Sequence, residues 1–146
     1  MSTSPETRIE STLITLIDAL SYVSTNSIPV RSSDSQDEVK AQSFINVCCQ
    51  KADRIAPNYD YYRSDVEITT ISHIPNDEAQ TVAENLYDAV NDWAQNLTAA
   101  DINTPLADAE ITVDGLVPGQ NESELEENWR FKTVRFECFY TFTQTT

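Results

Sequence analysis

The stretch NWRFKTVRFECFYTF, residues 128 to 142, carries large apolar side chains at both alternating sets of positions. Alternate residues of a β-strand point to opposite faces of the sheet, so this stretch predicts one long strand with two distinct faces. One face would carry Val134, Phe136, Cys138, Tyr140 and Phe142. The other would carry Trp129, Phe131, Thr133, Arg135, Glu137 and Phe139.

The second of these faces is expected to contact another subunit or protein. Helices can cover only one face of a single sheet, and the other would remain an exposed apolar patch. Arg135 and Glu137 lie on that same face, which suits a contact in which charges pair. We therefore expect a subunit or partner interface at Trp129, Phe131, Arg135, Glu137 and Phe139.

Three further stretches predict strands. Residues 44–49, FINVCC, have β propensity, and residues 62–73, YRSDVEITTISH, alternate between apolar and polar side chains. These two should pair antiparallel, with Cys48 and Cys49 on opposite faces. Residues 109–117, AEITVDGLV, predict the strand that precedes the last one.

Two amphipathic helices are predicted. Ser4 can cap the first helix and Pro5 suits its first position, and the helix should end between residues 24 and 27. Its apolar stripe is Ile9, Leu13, Leu16, Ile17, Leu20 and Val23. Asn76 or Asp77 can cap the second helix. Its stripe is Ala79, Val82, Ala83, Leu86, Ala89, Val90, Trp93 and Leu97.

The element order α-β-β-α-β-β predicts an α+β fold. We expect one structural domain over residues 1–146, with a largely antiparallel four-stranded sheet and both helices packed on one of its faces. Residues 31–42 and 118–128 should be mobile loops. The second loop contains an acidic run of Glu122, Glu124, Glu126 and Glu127. This run is either a solvated hairpin tip or a contact or lumen-facing element of a ring.

The charge restricts the function classes. Twenty-four acids against nine bases give a net charge of −15, and there is no basic run. Binding to DNA or RNA needs a basic face that displaces counterions from phosphates, so sequence-specific nucleic-acid binding is not expected. Docking on anionic membranes is not expected for the same reason. No apolar stretch reaches 18 residues, and residues 1–10 do not read as a signal peptide.

No set of residues predicts catalysis or metal binding. Cys48 and Cys49 cannot easily share one ion from opposite faces, and Cys138 is far away in the sequence, so we expect three free thiols. His73 is the only imidazole and is expected to end a strand. We therefore predict no catalytic, cofactor-binding or metal-binding residues and no enzymatic activity.

The pattern resembles the tail terminator (tail completion) proteins of long-tailed phages over roughly residues 5–142. The resemblance rests on the first helix, the strand that leads into YRSDVEITTIS, the DEAQTVAENLYDAV helix and the closing WRFKTVRFECFYTF strand. It implies a non-enzymatic virion protein that forms a hexameric ring on the tail tube, stops tube growth and meets the neck or head-closure connector. DNA would pass through this ring without sequence-specific binding. The chain would be made in the host cytoplasm and located at the tail–neck junction.

Two alternatives stay open at this point. The first is another neck component, such as a head-closure or connector protein, which shares the size and the acidity. The second is a small α+β enzyme or ligand-binding module built around His73, Tyr59 or Tyr61. Such a module would need a pocket with convergent polar groups.

Overall fold

A computed structural model describes residues 4–33, 42–55 and 60–143 of the chain. They form a mixed α+β fold with four helices and a seven-stranded open sheet. The helices are α1 (Pro5–Asp18), α2 (Ser21–Thr25), α3 (Asp77–Gln95) and α4 (Ala99–Leu106). The strands are β1 (Val30–Ser32), β2 (Ser43–Cys49), β3 (Asp53–Arg54), β4 (Tyr61–His73), β5 (Ile111–Pro118), β6 (Glu122–Glu126) and β7 (Trp129–Phe142).

The two longest strands, β4 and β7, pair antiparallel at the centre of the sheet. Their register runs from Tyr61 opposite Thr141 to His73 opposite Trp129. On the far side of β4 lie β2 and then the short β3, both antiparallel to it, and β1 adds to β2 in parallel. On the far side of β7, β5 and β6 lie end to end. On the side away from the other central strand, each central strand therefore pairs with two shorter strands that lie end to end.

The predicted α+β class is confirmed, but the prediction of four strands is incomplete. The four predicted strands correspond to β2, β4, β5 and β7, and the structure adds β1, β3 and β6. Residues 118–128 are not one loop, because β6 lies within them and pairs with β7. Of the predicted loop at 31–42, residues 31 and 32 belong to β1, and residues 34–41 lie outside the described part of the chain.

The helix starts follow the sequence signals. The Ser4 hydroxyl accepts the Thr7 N–H at the start of α1, and the Asn76 side chain accepts the Ala79 N–H at the start of α3. The first predicted helix is interrupted, because Leu20 adopts an extended conformation between α1 and α2. Helix α4, which contains Pro105, lies where neither of the two predicted helices extends.

All the helices pack on one face of the sheet, as predicted. That inner face is formed by the strand residues that are buried, including Val47 and Cys49 on β2, Val66 and Ile68 on β4, Ile111 and Val113 on β5, and Val134, Phe136, Cys138 and Tyr140 on β7. Helices α1 and α3 contribute Ile9, Leu13, Ile17, Leu86 and Val90, each completely buried. Cys49 is buried among them, whereas Cys48 is only half-buried on the opposite face, so the predicted alternation is confirmed.

Two polar contacts fix the helices to the β5 side of the sheet. Arg8 of α1 donates from Nη1 to Asp108 at 3.0 Å and to Glu110 at 2.9 Å. Asn103 of α4 bonds both backbone groups of Val113, accepting its N–H at 2.8 Å and donating to its C=O at 2.9 Å. The ladder between β5 and β7 shifts register just after Val113, so Asn103 satisfies backbone groups beside this irregularity.

Candidate interaction surface

The face of the sheet opposite the helices is the candidate functional surface, and we call it the outer face. None of the described helices packs on it. Its side chains alternate with the buried ones, so the odd-numbered residues of β4 and β7 and the even-numbered residues of β2 and β6 point to it. The outer face divides into three zones along the length of β4.

An apolar groove with an acidic rim lies at the first end of the outer face. We call it the groove, and it is lined by Phe44, Ile71, Trp129, Phe131, Glu126 and Glu127. Phe44, Ile71 and Phe131 are direct cross-strand neighbours on three adjacent strands. The imidazole of His73 packs on the indole of Trp129, with 4.9 Å between ring centroids.

The β6–β7 hairpin supplies the acidic rim of this groove. Glu126 pairs with Trp129 in register, so their side chains share the outer face. Glu127 occupies the two-residue turn with a φ of 56°, a left-handed conformation that is uncommon for residues other than glycine. The turn therefore places two carboxylates beside aromatic side chains.

The middle of the outer face is charged and mostly acidic. Arg135 bonds Glu122 at 2.7 Å and lies 3.5 Å from Glu67. The hydrogen bond between Glu122 and Arg135 raises the pKa of the guanidinium and lowers the pKa of the carboxyl. Asp65 and Glu137 stand directly opposite each other on β4 and β7, and like charges in such a pair repel. This zone has more negative charge than its one arginine balances.

The second end of the outer face is apolar and flanked by charged side chains of both signs. Tyr61 and Phe139 stack with 6.2 Å between ring centroids, and Ile55 next to them in the sheet is 44% exposed. Arg63 lies at this end of the outer face, whereas Arg54 pairs in register with Tyr62 and stacks on its ring, so Arg54 points to the inner face. Arg54 contacts Tyr62 and Asp60, and Arg63 pairs with Asp53 at 3.4 Å. We call Ile55, Tyr61, Phe139 and the ion pair of Arg63 with Asp53 the β3 patch.

The predicted interface residues share the outer face but do not form one cluster. Trp129 and Phe131 line the groove, Arg135 and Glu137 lie in the middle, and Phe139 belongs to the β3 patch. The acidic residues of the predicted loop fall beside them: Glu122, Glu124 and Glu126 on the outer face and Glu127 in the turn.

Sequence reasoning did not place Phe44, Ile71 or Ile55 on this surface. Phe44 and Ile71 each belong to the set of alternate strand residues that points away from the helices. The alternation of side chains along each strand was the sequence signal that could have placed them on the outer face. Ile55 precedes a turn in the sequence and follows the two-residue strand β3, which gives no clear periodic pattern. Its exposure depends on sheet pairing that a local pattern does not determine.

The geometry gives little support to the alternative of a small enzyme or ligand-binding module. Burial raises the pKa of Cys49 and raises the pKa of Cys138 to about 12, so neither thiol is poised to act as a nucleophile. Within residues 4–33, 42–55 and 60–143, no group of three or more histidine, cysteine, aspartate or glutamate residues could hold a metal ion. Tyr59 lies outside the described residues. No helix in the described ranges is long and apolar enough to cross a membrane.

The fold is similar to that of a chain in the virion of a native gene transfer agent particle. The two are 14% identical, the match covers 94% of this chain and 95% of that chain, and the TM-score is 0.58. A second solved structure matches over 96% of this chain and 94% of that one, at 14% identity and a TM-score of 0.48. No protein-family model matches the sequence. No curated protein matches it either. At this level of identity, the first similarity shows a shared fold over almost the full length of both chains.

Proposed function

We propose that this chain is a structural protein of a phage-like virion that forms a ring at the end of the tail tube. In this role it ends tube growth and joins the tail to the neck or head-closure connector. The observation that carries the proposal is the shared fold with a chain of the gene transfer agent virion, which extends over almost the whole of both chains.

The outer face supports an assembled state. The groove partly exposes Phe44, Trp129 and Phe131, and the β3 patch exposes Ile55 at the other end. Apolar surface that a chain does not cover itself commonly marks a contact with another protein. A subunit of a ring has such contacts on two sides, because each copy meets two neighbours.

The charge supports a passage for DNA. With a net charge of −15, the chain lacks the basic surface that would hold phosphates by counterion release. DNA would therefore pass a ring of these chains without sequence-specific binding. In this proposal the chain performs no catalysis, needs no cofactor, and is made in the host cytoplasm before it joins the virion at the tail–neck junction.

The proposal is tested by size and by tail length. Six copies of the 16.4-kDa chain give a ring of about 98 kDa, which light scattering and negative-stain microscopy measure directly. Particles that lack the chain should carry tails of irregular and excessive length. Tails of normal length in its absence, together with a chain that stays monomeric at every concentration, would contradict the proposal.

Separated heads and tails discriminate the second candidate, another neck component. The shared fold and the acidity favour it equally, because neither specifies a position in the virion. A tail terminator stays with purified tails. A head-closure or connector protein stays with purified heads and leaves tail length unchanged.

A further inference from the structure

We propose that the unpaired side of β6 receives an extended segment of another protein as an added β-strand, and that this segment carries basic side chains at alternate positions. The inference goes beyond the proposed function, because it requires neither a ring nor a tail. Strand β6 (Glu122–Glu126) pairs with β7 on one side, and no other described strand pairs with its second side. All five of its residues are exposed. We call this second side the β6 edge.

The β6 edge presents backbone groups that β7 does not bond. Glu126 and Trp129 flank a two-residue turn, and such a turn closes with a hydrogen bond between its flanking residues. The direction of the backbone bonds alternates along an antiparallel strand. The three glutamates of β6 therefore direct their N–H and C=O groups to β7, whereas Ser123 and Leu125 direct theirs away from it. A row of free donors and acceptors at a sheet edge is a template for one more strand.

On the outer face, the side chains along the β6 edge are acidic. Glu122, Glu124 and Glu126 alternate onto this face. Arg135 bonds Glu122 at 2.7 Å, which leaves Glu124 and Glu126 without an ion-pair partner among the described residues. A strand added at this edge would place alternate side chains directly beside these carboxylates. Basic side chains at those positions would complete cross-strand pairs of opposite charge.

The other face of β6 has a different chemistry. Leu125 is 57% exposed there, and its cross-strand neighbour on β7 is Arg130. Lys132 lies opposite Ser123 and packs over the ring of Tyr87, 4.7 Å from the ring centroid. On this side a base of the added strand would approach like charge, whereas an apolar side chain would cover Leu125. The two faces together therefore specify a strand in which bases and apolar residues alternate.

A second copy of β6 is a poor occupant of this edge. Two β6 strands that pair antiparallel in the plane of the sheet bring their glutamates to the same face, where like charges repel. Charged side chains on an edge strand commonly prevent a chain from pairing with itself in this way. The same charges attract a basic strand, so they select a partner of the opposite charge.

A synthetic peptide tests the alternation. The probe is a capped, fluorescently labelled heptapeptide in which four lysines alternate with three valines, and its matched control has the four lysines first and the three valines last. We expect the alternating peptide to bind the full chain at least about 10-fold more tightly in fluorescence anisotropy, because only alternation places its bases on the glutamate side. Equal affinities would overturn the inference, since they would show attraction of any cation.

N-methylated forms of the alternating peptide test the backbone bonds. One form is methylated at the lysine nitrogens and the other at the valine nitrogens, so each lacks the donors on one side of the strand. An added strand uses the donors of one side, so at least one form should bind at least about 10-fold more weakly. Parent affinity in both forms would overturn the inference, because attraction by charge alone does not need these donors.

Variants of the chain locate the site. Glu124→Lys with Glu126→Lys should weaken binding of the alternating peptide by at least about 10-fold, whereas the same charge change on α3, Glu84→Lys with Asp92→Lys, should leave it unchanged. Leu125→Pro removes an N–H that points away from β7, which an edge strand tolerates, and should abolish binding. Leu125→Thr keeps this donor and should bind. Circular dichroism checks that each variant is folded.

The outcomes separate this inference from the proposed function. Binding that survives both the charge reversal and Leu125→Pro would overturn the inference. A wild-type chain that forms rings on tails but binds neither peptide would overturn it as well and leave the proposed function intact. Rings that are lost in Leu125→Pro and kept in Leu125→Thr would show that a second copy occupies the β6 edge, which also contradicts the inference. Irregular tail length and ring mass test the proposed function without reference to the peptide.

Discussion

The buried hydrogen bond between Ser64 and Tyr140 is a side-chain link between the two central strands at the inner face. Their hydroxyl oxygens lie 3.0 Å apart, and the residues are 1% and 0% exposed, so water does not replace a lost partner. A buried polar group left without its partner costs about 1–3 kcal/mol. We expect Tyr140→Phe and Ser64→Ala each to lower the free energy of unfolding by about 1.5 kcal/mol.

The double variant sharpens this prediction. Ser64→Ala with Tyr140→Phe removes both hydroxyls and leaves only the Cys49 thiol, a weak hydrogen-bonding group, without its Ser64 partner, so the double change should cost close to one single change. The expected coupling is about 1–1.5 kcal/mol. For a chain of this size, each single change should also lower the Tm by roughly 3–6 °C.

Urea unfolding followed by circular dichroism measures these free energies. All variants are compared at one protein concentration, because assembly would add stability that depends on concentration. The slope of the transition should be the same for all of them. Single changes that cost less than about 0.5 kcal/mol, or costs that simply add in the double variant, would refute the reasoning.

Three further predictions concern single positions. Ala107 ends α4 with φ 44° and ψ 45°, so Ala107→Gly should stabilise the fold by about 0.5–1 kcal/mol, whereas Ala100→Gly in the first turn of α4 should destabilise it. Arg8→Ala leaves two partly buried carboxylates without their partner and should lower the free energy of unfolding, measured in urea, by about 2–3 kcal/mol. Recovery of full stability at high salt would contradict this prediction. A thiol reagent at pH 8 should modify Cys48 alone in the native chain and all three thiols in urea. Burial shields Cys138 and raises its pKa to about 12, so its thiol stays protonated at this pH. Equal modification rates at all three cysteines in the native chain would refute this prediction.

The sequence predicted the elements that carry strong periodic patterns or caps. Asn76 and the stripe that follows it gave α3, and Ser4 with Pro5 gave the start of α1. The apolar side chains on both faces of residues 129–142 gave the central strand β7 and an outer face without helices. The adjacent Cys48 and Cys49 marked the alternation of β2 across the sheet.

The elements that the sequence prediction missed are α4, β6 and β1. Helix α4 begins with a local capping signal, whereas β6 and β1 depend on pairing with distant strands. Thr98 and Asp101 form a capping box at the start of α4, a signal that is present in the sequence, whereas Pro105 inside the segment is unfavourable in a helix interior. Strand β6 is exposed at every residue, so it has no burial pattern and exists because it pairs with β7. Strand β1 likewise depends on its parallel pairing with β2. The division of the outer face into groove, acidic middle and β3 patch follows from these pairings.

The central claim is that the chain forms a ring between the tail tube and the head of a virion. The most direct measurement is a density map of the assembled particle at the tail–head junction. We predict a ring of six copies in which this fold is recognisable. Density for this fold elsewhere in the particle, or its absence from the particle, would contradict the account.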